Sequence, residues 1–242
     1  MSGKFNKLNF ISALSLFVAP PLCIFLCMKF IDSKSYYAAS VLIICCAIAP
    51  FFAYFEKRKV KTGEIVIIAM MTALAVASRS AMLFLPQVKP TAALVIVTAV
   101  AFGPNAGFLT GALSMLLSNF IFGQGMFTPF QMLGMGLTGF ICGAAFYNKK
   151  YSDNKWAVSL AGGLLSFAVY GLIADSCSVI MLTNEPTLKS AVPIFLSGVP
   201  FNVIHGLTTA LLLFFIHKPM ADKFSRLRIK YGIFDKKIQM QH

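Results

Sequence analysis

FGPNAGFLTGALSMLLSNFIFGQGMFTPFQMLGMGLTGFICG, residues 102–143, reads as two apolar helices joined by a tight polar turn. Gly103-Pro104 opens the stretch, and Gly123-Gln124-Gly125 divides it. Gly-Pro and Gly-x-Gly punctuate helices because glycine accepts strained backbone angles and proline cannot continue a hydrogen-bond ladder. Nearly every other position is apolar or small. The exceptions, Asn119, Gln124 and Gln131, gather around the second turn. A polar cluster at one end of a greasy helix pair points to a pocket at one membrane face.

Composition agrees with a membrane setting. The 242 residues are 58% hydrophobic and only 12% charged, a balance that polytopic membrane proteins show and few soluble domains do. The formal charge of +13 needs no nucleic acid to explain it, since basic residues collect on the cytoplasmic loops of membrane proteins. The six cysteines all lie within apolar runs and lack zinc-ligand spacing with the three histidines, so they read as small hydrophobes. The first apolar run follows Lys4 and Lys7 like a signal peptide. It is as long as a full span and lacks a small-x-small cleavage site, which favours an uncleaved helix.

Spanning helices need roughly 20 mostly apolar residues. Eight candidates fit: 9–30, 36–55, 64–84, 89–103, 105–123, 128–148, 156–181 and 190–216. Kinks are expected at Pro20-Pro21 and at Pro200. With the N-terminus inside, sixteen of the 21 basic residues fall on cytoplasmic segments, and both ends of the chain are cytoplasmic. The basic loop 56–61 divides an accessory hairpin, 1–62, from a six-helix core, 63–217, and 218–242 forms a basic tail. Residues 221–234 mix basic with aromatic side chains. They read equally as an amphipathic helix on the inner leaflet and as a frayed, solvated end.

Intramembrane polar groups are costly and tend to face cavities or one another. In this topology Arg79, Asn119, Gln124, Gln131, Asp175, Asn202 and His205 all fall in the outer half or at the midplane. The inner halves carry few such groups, which argues for a pocket open to the outside and against a continuous polar path. Each residue alone has a plainer explanation. Arg79 and Asp175 could neutralise one another, Asn119 and Gln131 could glue helices, and His205 could be a satisfied core histidine. Their convergence at one depth favours a ligand site. Phe120, Phe122, Phe127, Phe130 and Tyr170 near that level would suit a ring-bearing ligand or form an interfacial belt.

Ala69, Ala73 and Ala77 stand four residues apart, a stripe that lets another helix come close, and Arg79 lies roughly 120° around the helix from Ala73. Gly107/Gly111 and Gly139/Gly143 are similar pairs, expected to pack within the bundle. No phosphate-binding GxxxxGK[ST], no HExxH, no GxSxG and no paired carboxylates at helical spacing occur. The sequence therefore shows no enzyme, metal or cofactor signature, and uphill transport would need an outside energy source.

Taken together, residues 63–217 resemble the substrate-binding S component of an energy-coupling factor (ECF) vitamin transporter. The resemblance rests on the six-helix core, the Ala69/Ala73/Ala77 stripe, and the motifs Ser118-Asn119-Phe120, Gly123-Gln124-Gly125 and Thr128-Pro129-Phe130-Gln131. It implies capture of a micronutrient near the outer surface, and a complex with a transmembrane coupling subunit and two cytoplasmic ATPases. It also implies toppling of the S component in the membrane to release substrate. By that resemblance the alanine stripe docks the coupling subunit, Arg79, Asn119, Gln131, Asp175 and Asn202 contact ligand, and the loop 85–89 gates the pocket. The wording of the central motif is most similar to S components assigned to cobalamin. The hairpin 9–55 departs from the six-helix pattern. Outside the resemblance, a gradient-driven carrier and a non-transporting scaffold are the alternatives, the first disfavoured by a lone intramembrane carboxylate and no inverted repeat.

Overall fold

A computed structural model describes residues 62–85, 88–183 and 187–232. The expected helices 9–30 and 36–55, the loop 56–61, and most of the gating loop's middle lie outside these residues. Among them the chain is all helical, with α1 Thr62–Ala81, α2 Thr91–Phe102, α3 Pro104–Phe122, α4 Thr128–Phe146, α5 Lys155–Leu182 and α6 Leu188–Tyr231. All but α2 are long and apolar enough to cross a membrane. The observed bounds fall within a few residues of the sequence expectation except at the end of α6.

Helix α2 is the hub. Its twelve residues are apolar on every side, and eleven are buried. A helix hydrophobic all round belongs inside a bundle. At roughly 18 Å it is shorter than the ~30 Å hydrocarbon layer. Helices α1, α3, α4 and α6 surround it, and Ile96, Val97 and Val100 share a core with Met71, Leu109 and Leu213.

The pair α3/α4 is joined along a glycine seam. A Cβ on Gly111 would come 2.6 Å from the Met135 carbonyl oxygen, and one on Gly139 would come 2.6 Å from that of Gly107. Gly143 meets Pro104 in the same way, at 2.7 Å from its Cα. The two small-residue pairs seen in the sequence thus pack on each other, and backbone contact replaces side-chain interdigitation. The turns at both ends use glycine for a different reason: Gly103 and Gly123 hold φ near 101° and 100°, which L-side chains rarely adopt.

Helix α1 presents two faces. Ile67, Ile68, Met71 and Ala75 are buried, whereas Ala69, Ala73 and Ala77 are exposed beside Ile65, Met70 and Leu74. Helix α5 contains a π-helical turn at Ser166–Tyr170. One extra residue rotates the rest of the helix by about 100° and sets the face on which Tyr170 and Asp175 lie.

Helix α6 corrects the expected end at 216: it continues unbroken through Pro193, Pro200 and Pro219 to Tyr231. Its second half keeps an apolar stripe, Leu213, Ile216, Met220, Phe224 and Leu227, packed on the common core. Phe224 is 5% exposed and its ring lies 4.8 Å from that of Phe102. The short α2 ends at Phe102, and α6 fills the space beyond it. Arg228 donates to the Ala101 carbonyl at 3.2 Å and to Asn148 Oδ1, placing a cation at the C-terminal ends of α2 and α4. Residues 218–231 are therefore neither a separate surface helix nor a frayed end. A cavity of about 110 Å³ opens beside them, lined by Val97, Val100, His217 and Ser225 among others.

Candidate functional site

The opposite end of the bundle, where α1, α3 and α5 finish and α2, α4 and α6 begin, holds a connected polar network. Asn119 sits in the last turn of α3 and is 0% exposed. Burial of an amide demands partners, and it has them on three sides. Its Oδ1 accepts from Arg79 Nη1 at 3.0 Å, and its Nδ2 donates to Thr128 Oγ1 at 3.0 Å and to Gln131 Oε1 at 2.9 Å. One side chain thereby ties α1, α3 and the start of α4 together. Arg79 Nη1 also donates to Ser118 Oγ. Thr128 Oγ1 donates to Gln124 Oε1 at 3.0 Å, and Gln124 Nε2 donates to the Leu116 carbonyl at 2.9 Å, which closes the 123–127 turn.

Aromatic and cationic groups complete this end. The Arg79 guanidinium lies 4.5 Å from the Phe122 ring centroid, and Lys89 Nζ lies 5.3 Å from the same ring while donating to the Met82 carbonyl. Such stacking favours cations without neutralising them. Burial, and secondarily the Arg79 charge, pulls the Lys89 ammonium below the ordinary lysine range. Phe120 is 72% exposed, while Phe130 is buried in the α4 core.

A second polar group lies deeper. Asn202 Nδ2 donates to Asp175 Oδ2 at 2.8 Å, linking α6 to α5. Glycines make room for both: a Cβ on Gly171 would meet Asn202 Cγ at 2.7 Å, and one on Gly198 would collide with the Asp175 carboxylate. The Tyr170 ring lies 5.2 Å from the His205 ring and 3.2 Å from where a Gly134 Cβ would be. Tyr170 also packs against the small core cluster formed by Ala92, Val95, Met115 and Met135.

Of the residues singled out in the sequence, the structure joins Arg79, Asn119, Gln124 and Gln131 in one network. It places Asp175, Asn202 and His205 in another layer. The Arg79–Asp175 pairing raised as a plain explanation is not formed, because each group is held by a neutral partner on its neighbouring helix. Ser118 and Thr128 belong to the network and are visible in the sequence only as parts of motifs. Lys89 reads in the sequence as an ordinary loop lysine, and its place beside Phe122 depends on how α1 and α2 meet.

The model of the family described as ECF-type riboflavin transporter, S component, matches residues 59–222. No curated protein and no solved structure matches the chain.

Proposed function

The chain belongs to the family of ECF-type riboflavin transporter S components, and from that premise we propose that it captures a vitamin-like, ring-bearing solute at the Arg79 end. It is a multi-pass protein of the plasma membrane. ECF S components work with a transmembrane component and ATPases, so the chain has no need of an engine of its own. The observation that carries the proposal is the network centred on Asn119, which gathers polar groups from α1, α3 and α4 at one end of an otherwise apolar bundle. The Asp175–Asn202 pair and Tyr170 form the deeper wall of the same site.

In this reading the Arg79 end faces outward, which the distribution of basic residues supports. The exposed Ala69/Ala73/Ala77 face of α1 docks the coupling subunit, because three small side chains allow a partner helix close approach. The buried opposite face of α1 carries Arg79's helix into the bundle, so docking and capture use different sides. The family's name carries riboflavin and not cobalamin, so a flavin takes first place among the candidate substrates. We also propose that residues 1–62 are an accessory hairpin, on the strength of their two apolar runs.

Native mass spectrometry of the full chain, purified from cells grown in rich medium, tests the capture role. A bound small molecule, lost on substitution of Asn119, is the expected result. A chain that never retains or binds a micronutrient, and that forms no complex with a coupling subunit, would be a scaffold instead.

A further inference from the structure

We infer that the substrate held at the Arg79 end carries an oxyanion, a phosphate or carboxylate, which binds between Arg79 and Lys89 with its ring system beside Phe122. This rests on the capture role proposed above. Among flavins it selects riboflavin 5′-phosphate over the free vitamin.

The charge balance is the first argument. Among the described residues Arg79 is bonded only to the neutral oxygens of Ser118 and Asn119, both of them fully buried. Lys89 shares the Phe122 ring with it and is bonded to a carbonyl. Among the described residues no carboxylate reaches either cation. Glu64, Asp153 and Asp222 lie on segments at the other end, and Asp175 is engaged by Asn202. Glu185, in the α5–α6 connection, lies outside the described residues. Arg79 is partly withdrawn from water and shares the Phe122 ring with the more exposed Lys89. Such a half-buried cation beside a second positive charge is costly unless something negative joins them.

Unspent donors are the second argument. Both Arg79 hydrogen bonds leave from Nη1. A guanidinium has five N–H donors, and those on Nη2 and Nε have no partner among the described residues. They form a planar fork of the kind that grips phosphate or carboxylate with two parallel bonds. Ser118 and Asn119 fix the plane of that fork in advance, which lowers the ordering cost of binding.

An anionic lipid headgroup would offer the same chemistry. The geometry favours a soluble substrate, because the anchoring partners of Arg79 are buried in the bundle and not on its lipid face. The experiment separates the two sources. The full chain is placed in nanodiscs of phosphatidylcholine, or of phosphatidylcholine with phosphatidylglycerol, and titrated with riboflavin and with riboflavin 5′-phosphate by flavin fluorescence.

The expected result is binding of the phosphate ester about tenfold or more tighter than riboflavin in both lipids, weakening with salt, as charge-assisted contacts do. Arg79→Gln should abolish the preference, Arg79→Lys should restore part of it, and Lys89→Gln should reduce it. Association of each variant with the coupling subunit reports that it is folded. Equal or tighter binding of riboflavin overturns the oxyanion assignment and leaves the capture role standing. So does failure of both flavins while the coupling complex still forms. A preference that vanishes in phosphatidylglycerol discs shows the cations to be a lipid site and also overturns it. Failure of both flavins together with loss of the complex sinks the capture role itself.

Discussion

Asn119 is the side chain on which the polar end of the bundle depends. Asn119→Ala would strip partners from Arg79, Thr128 and Gln131 at once. Stranded buried polar groups cost about 1–3 kcal/mol each in soluble proteins, and intramembrane hydrogen bonds average nearer ~0.6. We expect a lowered melting temperature and a loss of substrate affinity of about tenfold, measured by titration calorimetry. Asn119→Asp, which keeps an acceptor for Arg79 and loses the two donated bonds, should weaken a neutral ligand less than an anionic one. The sequence made Asn119, Gln124 and Gln131 conspicuous because polar side chains stand out in an apolar run. It could not pair them correctly. Which neighbour satisfies Arg79 depends on the rotation of α1 against α3, and the charge-pairing rule pointed to Asp175 when buried neutral oxygens were closer.

Helices rather than single side chains control the next two expectations. The α3/α4 seam brings backbones together at Gly111 and Gly139, so Gly111→Val must push Met135 away. We expect destabilisation on the order of 1–3 kcal/mol, seen as a lower melting temperature in detergent, since overpacking a tight interface costs that much. Gly123→Ala at the open turn meets nothing within 4 Å, and there the strain comes from φ near 100° alone. Ala73 lies on the exposed face of α1. Ala73→Trp should block co-purification with the coupling subunit while substrate affinity stays within about twofold, because the tryptophan faces away from the core. Loss of ligand binding with an intact complex would contradict the two-face assignment. Hydrophobic runs and glycine punctuation made these helices legible in sequence within a few residues. The end of α6 was not, because Lys218, Lys223 and Arg226 end the apolar run while the stripe Leu213, Met220, Phe224 and Leu227 continues beneath them at helical spacing. Segment hydropathy averages over that stripe, and the amphipathic pattern of 221–234 suggests a helix without saying that it continues α6 and packs on the common core.

The bundle as a whole has a polar cluster at one end, a clamped α6 extension at the other, and a small-residue face along one side. That arrangement suits a subunit that captures and then relies on others for energy. Thr98, Ser114, Thr138 and Thr209 spend their hydroxyls on carbonyls of their own helices, so these four residues offer no side-chain relay for an ion through the centre. Two-sided cysteine labelling should find a residue introduced at Gln124 accessible from outside and one at Ser225 accessible only from the cytoplasm. The most direct check is concentrative uptake of labelled substrate in cells that express this chain with or without the ECF transmembrane component. Accumulation should require that component and collapse in its absence, although binding to the chain persists. Undiminished accumulation without it would show that the chain drives transport by itself, and the capture-subunit account would be wrong.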